Sequence, residues 1–208
     1  MKVFYATLLV VYGAWFVWYG GTGDPVTDSE LDVYVSEMTE KSKSGPETVS
    51  ETTVLMRRLA EFDTGNEFLM VNLIKYRDQA IYPKDSEWAE ETDALAADAR
   101  YSNGVVKELL TRGSLPILSG SVIGKFMIDE DWRDWDVVAI VRYRSVKDML
   151  DMIVGMADSG LAEHKFASIE QTHVFPIEPE ISLFSLRTLV ALLLLSLALI
   201  VRSFVKPS

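Results

Sequence analysis

A chain of 208 residues has room for one folded domain with flanking segments, but not for two domains of ordinary size. Its formal net charge of -11 repels nucleic acid phosphates, so we expect no nucleic-acid partner. The absence of cysteine excludes disulfides, thiolate metal sites and a cysteine nucleophile.

The first predicted element is an apolar transmembrane helix over residues 3–23, a stretch without any charged side chain. As a helix it extends about 31 Å, which matches a bilayer core of about 30 Å. Its tyrosines and tryptophans favour the bilayer interface. A cleaved signal peptide is the alternative, because small residues at Gly21 and Gly23 resemble a cleavage site. The length of the run and the bulky aromatics up to Tyr19 favour a retained anchor.

A second transmembrane helix is predicted over residues 181–201, where Arg187 is the only charged residue. Residues 189–200 are apolar on every face except at Ser196, whereas a soluble helix keeps a polar face. Basic residues flank the outer ends of both spans and acidic residues flank the inner ends. Because cytoplasmic flanks are enriched in Lys and Arg, we expect a bacterial inner-membrane protein whose central domain lies in the periplasm. Arg187 opposes this orientation.

Between the spans, residues 24–48 are mostly polar and are predicted to form a stalk with a short helix from Asp28 to about Lys41. Residues 49–179 are predicted to form the domain. Its elements are a helix over 50–62, a strand over 67–76, a helix from near Ser86 to near Gly113, strands over 115–127 and 135–143, a helix behind a Ser145–Asp148 capping box, and a strand over 170–177. From the first strand onward the order is βαββαβ, which predicts an α+β, ferredoxin-like domain.

The first strand and the loop after it resemble a known family. The run Val71-Asn72-Leu73-Ile74-Lys75-Tyr76-Arg77-Asp78, followed by Ala80 and Tyr82-Pro83, is similar to the first-strand signature of the "domain of unknown function 1330" family, a member of the dimeric α/β-barrel superfamily. Looser matches follow in the same order at Trp135-Asp136, Arg142-Tyr143-Arg144-Ser145 and Glu163-His164-Lys165 with Ala167. Gly113-Ser114 and Lys165 depart from the family pattern, and both terminal spans are additions to it.

The resemblance covers roughly residues 49–179 and implies a homodimer, in which two sheets close face to face into a barrel. It implies no reaction. Alternation along the first strand separates the aliphatic set Leu69, Val71 and Leu73 from a mixed set, which consists of Phe68, Met70, Asn72, Ile74 and Tyr76. We expect the aliphatic set to pack against the helices and the mixed set to face the barrel interior.

Four residues are candidate contacts for a small-molecule ligand. Asn72 and Tyr76 offer an amide and a phenol to an otherwise apolar cavity, although Asn72 can instead bond to neighbouring backbone. His164, which the resemblance places near the cavity, is the candidate general base, with a structural histidine as the alternative. Arg142 is a candidate partner for a ligand carboxylate, or else part of a surface ion pair. His173 is predicted to be a packing residue.

No metal or cofactor is predicted. The acidic loop over residues 129–136 lacks the glycine and the ligand spacing of a calcium loop, and the two histidines lie nine residues apart without cysteine. No phosphate loop or nucleophile elbow occurs.

Three hypotheses for function follow. The first is small-molecule binding by a doubly anchored, extracytoplasmic dimeric barrel. The second is a cofactor-free isomerase or oxygenase, as in other barrels of the superfamily that the chain resembles. The third is a structural or dimerisation component of a membrane complex. An interior packed shut by Phe68, Met70 and Ile74 favours the third hypothesis, and an open pocket with Asn72 beside His164 favours the first two.

Overall fold

The computed structural model describes residues 1–20, 23–42, 45–127, 134–179 and 186–204. Seven helices and four strands lie within these ranges. In chain order they are α1 (Lys2–Tyr19), α2 (Asp28–Lys41), α3 (Pro46–Glu61), β1 (Phe68–Tyr76), α4 (Ala94–Thr111), β2 (Leu115–Ser121), β3 (Val137–Tyr143), α5 (Val146–Met156), α6 (Leu161–Ser168), β4 (Ile169–Ile177) and α7 (Leu186–Phe204). The predicted α+β class is confirmed.

The four strands form one antiparallel sheet in the order β2-β3-β1-β4. The apolar strand β1 lies inside the sheet, where β3 pairs with it on one side and β4 on the other. Strand β2 ends at Ser121, earlier than the predicted end near residue 127, and its register shifts between Pro116 and Leu118. In this strand order, β2 and β4 are the edge strands of the described sheet.

The hydrophobic core lies between one face of the sheet and the helices. Phe68 and Met70 of β1 are buried there with Leu109 of α4 and Leu150 of α5. The ring of Phe68 stacks on that of Tyr143, with centroids 5.3 Å apart. The prediction for the two faces of β1 was therefore wrong, because the mixed set faces the helices. Both sets are rich in apolar residues, and alternation alone does not reveal which set the helices cover.

Helix α2, which lies inside the predicted stalk, packs on the domain. Leu31 and Met38 are 5% and 2% exposed and belong to the same core as β1. A capping box begins the helix, because the Thr27 hydroxyl accepts from the Glu30 backbone N–H and the Glu30 carboxylate accepts from the Thr27 N–H. Glu30 also accepts from Lys147 Nζ of α5 at 2.9 Å. Residues 28–41 thus contribute to the core of the domain.

Local signals explain the limits of α4 and α5. Helix α4 begins at Ala94, later than predicted, because the Asp93 carboxylate accepts from two backbone N–H groups of its first turn, at 2.9 and 3.0 Å. Gly104 lies within α4, where a Cβ would lie 2.5 Å from Leu161 Cδ2 of α6. Half of the predicted capping box of α5 is present, since Ser145 Oγ accepts from the Asp148 N–H at 3.1 Å, whereas the Asp148 carboxylate accepts from the Ser145 hydroxyl and not from its backbone N–H.

The terminal helices α1 and α7 are each long and apolar enough to cross a membrane, as judged by length and composition. Their most apolar windows are 6% and 0% buried, so neither is a core helix of the domain. The two helices contact each other, and the Tyr12 hydroxyl donates to the Arg187 carbonyl at 3.2 Å. Residues 181–185 of the predicted second span and residues 21–22 of the first lie outside the described residues.

Candidate functional site

The face of the sheet opposite the helices is lined by apolar side chains, and we call it the open face. Residues paired across antiparallel strands share a face, so the register of β1 with its neighbours defines this surface. No helix of the described residues packs over its centre. Phe175 and Ile177 of β4 are 43% and 38% exposed. The open face consists of Leu69, Val71, Leu73, Leu118, Val138, Ile140, Phe175 and Ile177.

Polar groups lie at one end of the open face, beside the carboxyl end of β1. Lys75 Nζ lies 3.0 Å from Asp136 Oδ1, and the other oxygen of Asp136 accepts from the Tyr76 backbone N–H at 2.8 Å. His173 pairs with Leu73 on the same face, and its exposed ring lies 4.8 Å from the ring of buried Trp135. The sequence predicted that His173 is a packing residue. Its position on the open face follows from the alternation of side chains along β4 and from the pairing of β4 with β1.

Arg142 occupies the opposite end of the open face, where it pairs with Leu69. Its Nε donates to Glu67 Oε2 at 2.7 Å, its Nη2 donates to the same carboxylate, and its Nη1 donates to the Gly113 carbonyl at 3.2 Å. Only 5% of Arg142 is exposed, and burial lowers the pKa of its guanidinium below the ordinary value. Arg142, which was a candidate partner for a ligand carboxylate, therefore binds the carboxylate of Glu67 in the same chain.

The other two predicted contacts on the sheet point toward the helices. Asn72 Nδ2 donates to the carbonyls of Met70 and Ala139 at 3.2 and 3.4 Å, which is the backbone-bonded alternative. The Tyr76 hydroxyl donates to Asp98 Oδ2 of α4 at 2.9 Å. Burial, together with the Asp98 carboxylate, raises the pKa of Tyr76 well above its ordinary value. Both side chains are thus held by internal partners.

His164 lies on α6, half-buried beside a second, smaller cluster of buried side chains that includes Tyr82. Its Nδ1 hydrogen-bonds with the Tyr82 hydroxyl at 2.8 Å, and the Trp88 ring meets it edge-on, with centroids 5.3 Å apart. Arg100 stacks over Trp88 at 4.1 Å. Burial and then the Arg100 charge lower the pKa of His164, so the imidazole is neutral at neutral pH. Tyr82 and Trp88, which hold this histidine, were not predicted as partners.

The structure does not bring the four predicted residues together. Among the described residues, no hydrogen bond joins any two of Asn72, Tyr76, Arg142 and His164. A separate cleft of about 190 Å³ lies between the end of α3 and the adjacent ends of β1 and β4, and none of the four lines it. No group of three or more His, Asp or Glu side chains in the described ranges is placed to hold a metal ion. Most of the predicted acidic loop, residues 129–133, lies outside those ranges.

Two solved structures share the fold of this chain. One is the RPA0582 protein of unknown function from Rhodopseudomonas palustris, which is 22% identical with a TM-score of 0.54 and is matched over 62% of this chain and 94% of its own. The other is a methylated form of RPA0582, which is 21% identical with a TM-score of 0.55 over 70% and 99% of the two chains. No protein-family model and no curated protein matches the chain. At this identity the likeness shows a common fold, shared with a protein of unknown function.

Proposed function

We propose that this chain is a membrane-anchored assembly protein whose central domain forms a homodimer through the open face. The observation that carries the proposal is the uncovered apolar surface at the centre of the sheet. A sheet with helices on one side only exposes its other side, and large apolar patches on soluble surfaces mark interaction sites. Phe68, Met70 and Ile74, which were predicted to line the interior of a barrel, lie on the face of the sheet that packs against the helices. Phe68 and Met70 are buried there, so these three side chains do not line the open face.

The strand order supports a ferredoxin-like arrangement for the domain. Read from the other edge, the antiparallel sheet has the order β4-β1-β3-β2, with helices on one face, as expected for a βαββαβ unit. Together with the signature over residues 71–83, this order supports membership of the domain of unknown function 1330 family. The implied partner is then a second copy of the chain, with the two sheets closed face to face.

The charges around the open face favour a second copy as its occupant. The chain carries a net charge of -11, yet the charged groups at the two ends of this face are already ion-paired, Lys75 with Asp136 and Arg142 with Glu67. Two like faces therefore meet without a large repulsion. Anchoring by α1 and α7 confines both copies to one bilayer, which raises their effective concentration. The flanking charges support termini in the cytoplasm and a domain in the periplasm of a bacterial inner membrane.

A second candidate function is small-molecule binding in the space between the two sheets. The observation that favours it is the polar end of the open face, where exposed His173 lies against Trp135 and near Lys75. A tilted pair of aromatic rings at this polar end suits a planar ligand. These residues replace Asn72, Tyr76 and His164 as the proposed contacts. An isomerase or oxygenase reaction would use the same space, with His173 as its imidazole.

The experiment compares two neighbouring residues of β4 that are equally exposed but lie on opposite faces. Phe175 is part of the open face and Val174 points to the other side, and each is 43% exposed. The full chain is purified in detergent as wild type, Phe175→Asp and Val174→Asp, and the mass of each protein–detergent complex is measured. We expect dimers for the wild type and Val174→Asp, and monomers for Phe175→Asp. A Phe175→Asp protein that stays dimeric contradicts the proposal.

A further inference from the structure

The end of α1 that adjoins the domain differs from the rest of that helix. Tyr19 is 2% exposed, and it is the one buried residue of α1. Residues earlier in the helix project outward, as Leu9 and Val10 do at 71% exposure each. Before its last turn α1 contacts α7 but contains no buried residue, and burial begins at Tyr19.

Buried Tyr19 packs against Arg142 of β3. The guanidinium carbon of Arg142 lies 3.4 Å from the centroid of the Tyr19 ring, and Nη2 donates to the Tyr19 carbonyl at 2.9 Å. With Glu67 and the Gly113 carbonyl as the other acceptors, each of the three nitrogens of this buried cation has an acceptor. Removal of α1 would expose one face of the guanidinium and withdraw one of its acceptors. Removal of partners from a buried cation destabilises the folded state.

The neighbouring Trp18 makes a second contact with the domain. Its ring lies 4.7 Å from the guanidinium of Arg144, which Asp148 holds through two oxygens at 2.7 and 2.6 Å. Gly113, at the turn between α4 and β2, adopts a φ of +69°, and a Cβ there would lie 3.0 Å from Trp18 Cη2. Glycine at this position satisfies the backbone conformation and makes room for the indole.

The chain that follows α1 is bound to the domain as well. The Gly23 N–H donates to the Gly65 carbonyl at 3.1 Å, and a Cβ on Gly65 would lie 2.5 Å from the Gly23 backbone. Three residues later the Val26 N–H donates to Asp63 Oδ2 at 2.7 Å. The described residues on both sides of Gly21 and Thr22 therefore contact the loop between α3 and β1 or the end of β3.

We propose that the last turn of α1 is a permanent part of the folded domain, so that the first apolar segment is retained uncut. Cleavage at the small residues before Asp24 would remove Trp18 and Tyr19 and leave Arg142 short of partners. Retention also joins the membrane helix rigidly to β3, with the amino-terminal end of β1 turned toward the bilayer. The inference holds whether or not two copies pair through the open face.

The first test is the intact mass of the full chain after insertion into bacterial membranes. We expect the mass of the uncut chain, 23.4 kDa. A product that begins near residue 24 would overturn the inference.

The second test measures the melting temperature of the purified full chain by calorimetry. Tyr19→Ala is compared with Val17→Ala, which removes an apolar side chain that is 73% exposed in the same turn. Loss of a desolvated cation–π contact predicts a melting temperature lower by about 4–8 °C for Tyr19→Ala and little change for Val17→Ala. If Tyr19→Ala does not fold, Tyr19→Phe keeps the ring and should melt above Tyr19→Leu. Equal melting temperatures within either pair would overturn the inference.

Discussion

Truncation of Met38 to alanine measures whether α2 belongs to the core. Met38 is 2% exposed and packs within the core that also contains Phe68 and Leu150. Large-to-small replacement of a buried methionine costs about 2–5 kcal/mol, because it removes apolar contacts and leaves a cavity. For a domain of this size each kcal/mol lowers the melting temperature by about 2–4 °C. We therefore expect Met38→Ala to melt roughly 4–20 °C below the wild type.

The matched control is Val33→Ala, since Val33 lies on the same helix and is 56% exposed. An exposed substitution of this kind changes the free energy of unfolding by about 0.5 kcal/mol or less. Calorimetry of the full chain gives both values, and limited proteolysis shows whether residues 28–41 become accessible in Met38→Ala. If both variants melt with the wild type, α2 is a free stalk and its assignment to the core is refuted.

Three further predictions concern titrating and hydrogen-bonding groups. Burial lowers the pKa of His164 below 6.5, so the unfolded chain protonates first and stability should fall as pH drops below 6.5; His164→Gln should flatten the pH profile of the melting temperature there. The hydrogen bond from the Thr27 backbone, with smaller effects from other partners, lowers the pKa of Glu30 from 4.5 to about 2. Its contribution is therefore present above pH 4.5 and lost as pH falls toward 2, a loss that Glu30→Gln should abolish in acid titrations. Tyr76→Phe removes the hydrogen bond to Asp98 and should cost about 0.5–1.5 kcal/mol in the free energy of unfolding, and an unchanged value would show that this bond contributes nothing.

Elements with local signals were predictable from the sequence. Strand β1 spans Phe68–Tyr76 against a predicted 67–76, because an apolar run between a glycine and a proline is typical of a buried strand. The cap of α5 was predictable as well, since Ser145 and Asp148 are close in sequence and the motif depends on no distant residue.

The sequence of α2 also carries the pattern of a helix that packs on a core. Leu31, Tyr34, Val35 and Met38 follow the spacing i, i+3, i+4, i+7 of an amphipathic helix. All four pack in the core, with Leu31 and Met38 fully buried. The polar composition around this short helix obscured the pattern and suggested a stalk.

The candidate site was less predictable because its contacts join distant parts of the chain. Arg142 pairs with Glu67, 75 residues away, and with the carbonyl of Tyr19, 123 residues away. Nothing in the local sequence of β3 indicates either partner. The orientation of Asn72 was equally hidden, since both faces of β1 are apolar and the packing of α4 and α5 decides between them.

Electron spin resonance between two labelled copies tests the central claim, dimerisation through the open face, most directly. The chain contains no cysteine, so Val174→Cys provides a single labelling site that lies outside the open face. In bilayers, the account predicts one narrow distance distribution between the two labels, and loss of the dipolar signal when Phe175→Asp is added. A signal that is absent from Val174→Cys, or that persists unchanged with Phe175→Asp, would contradict the account.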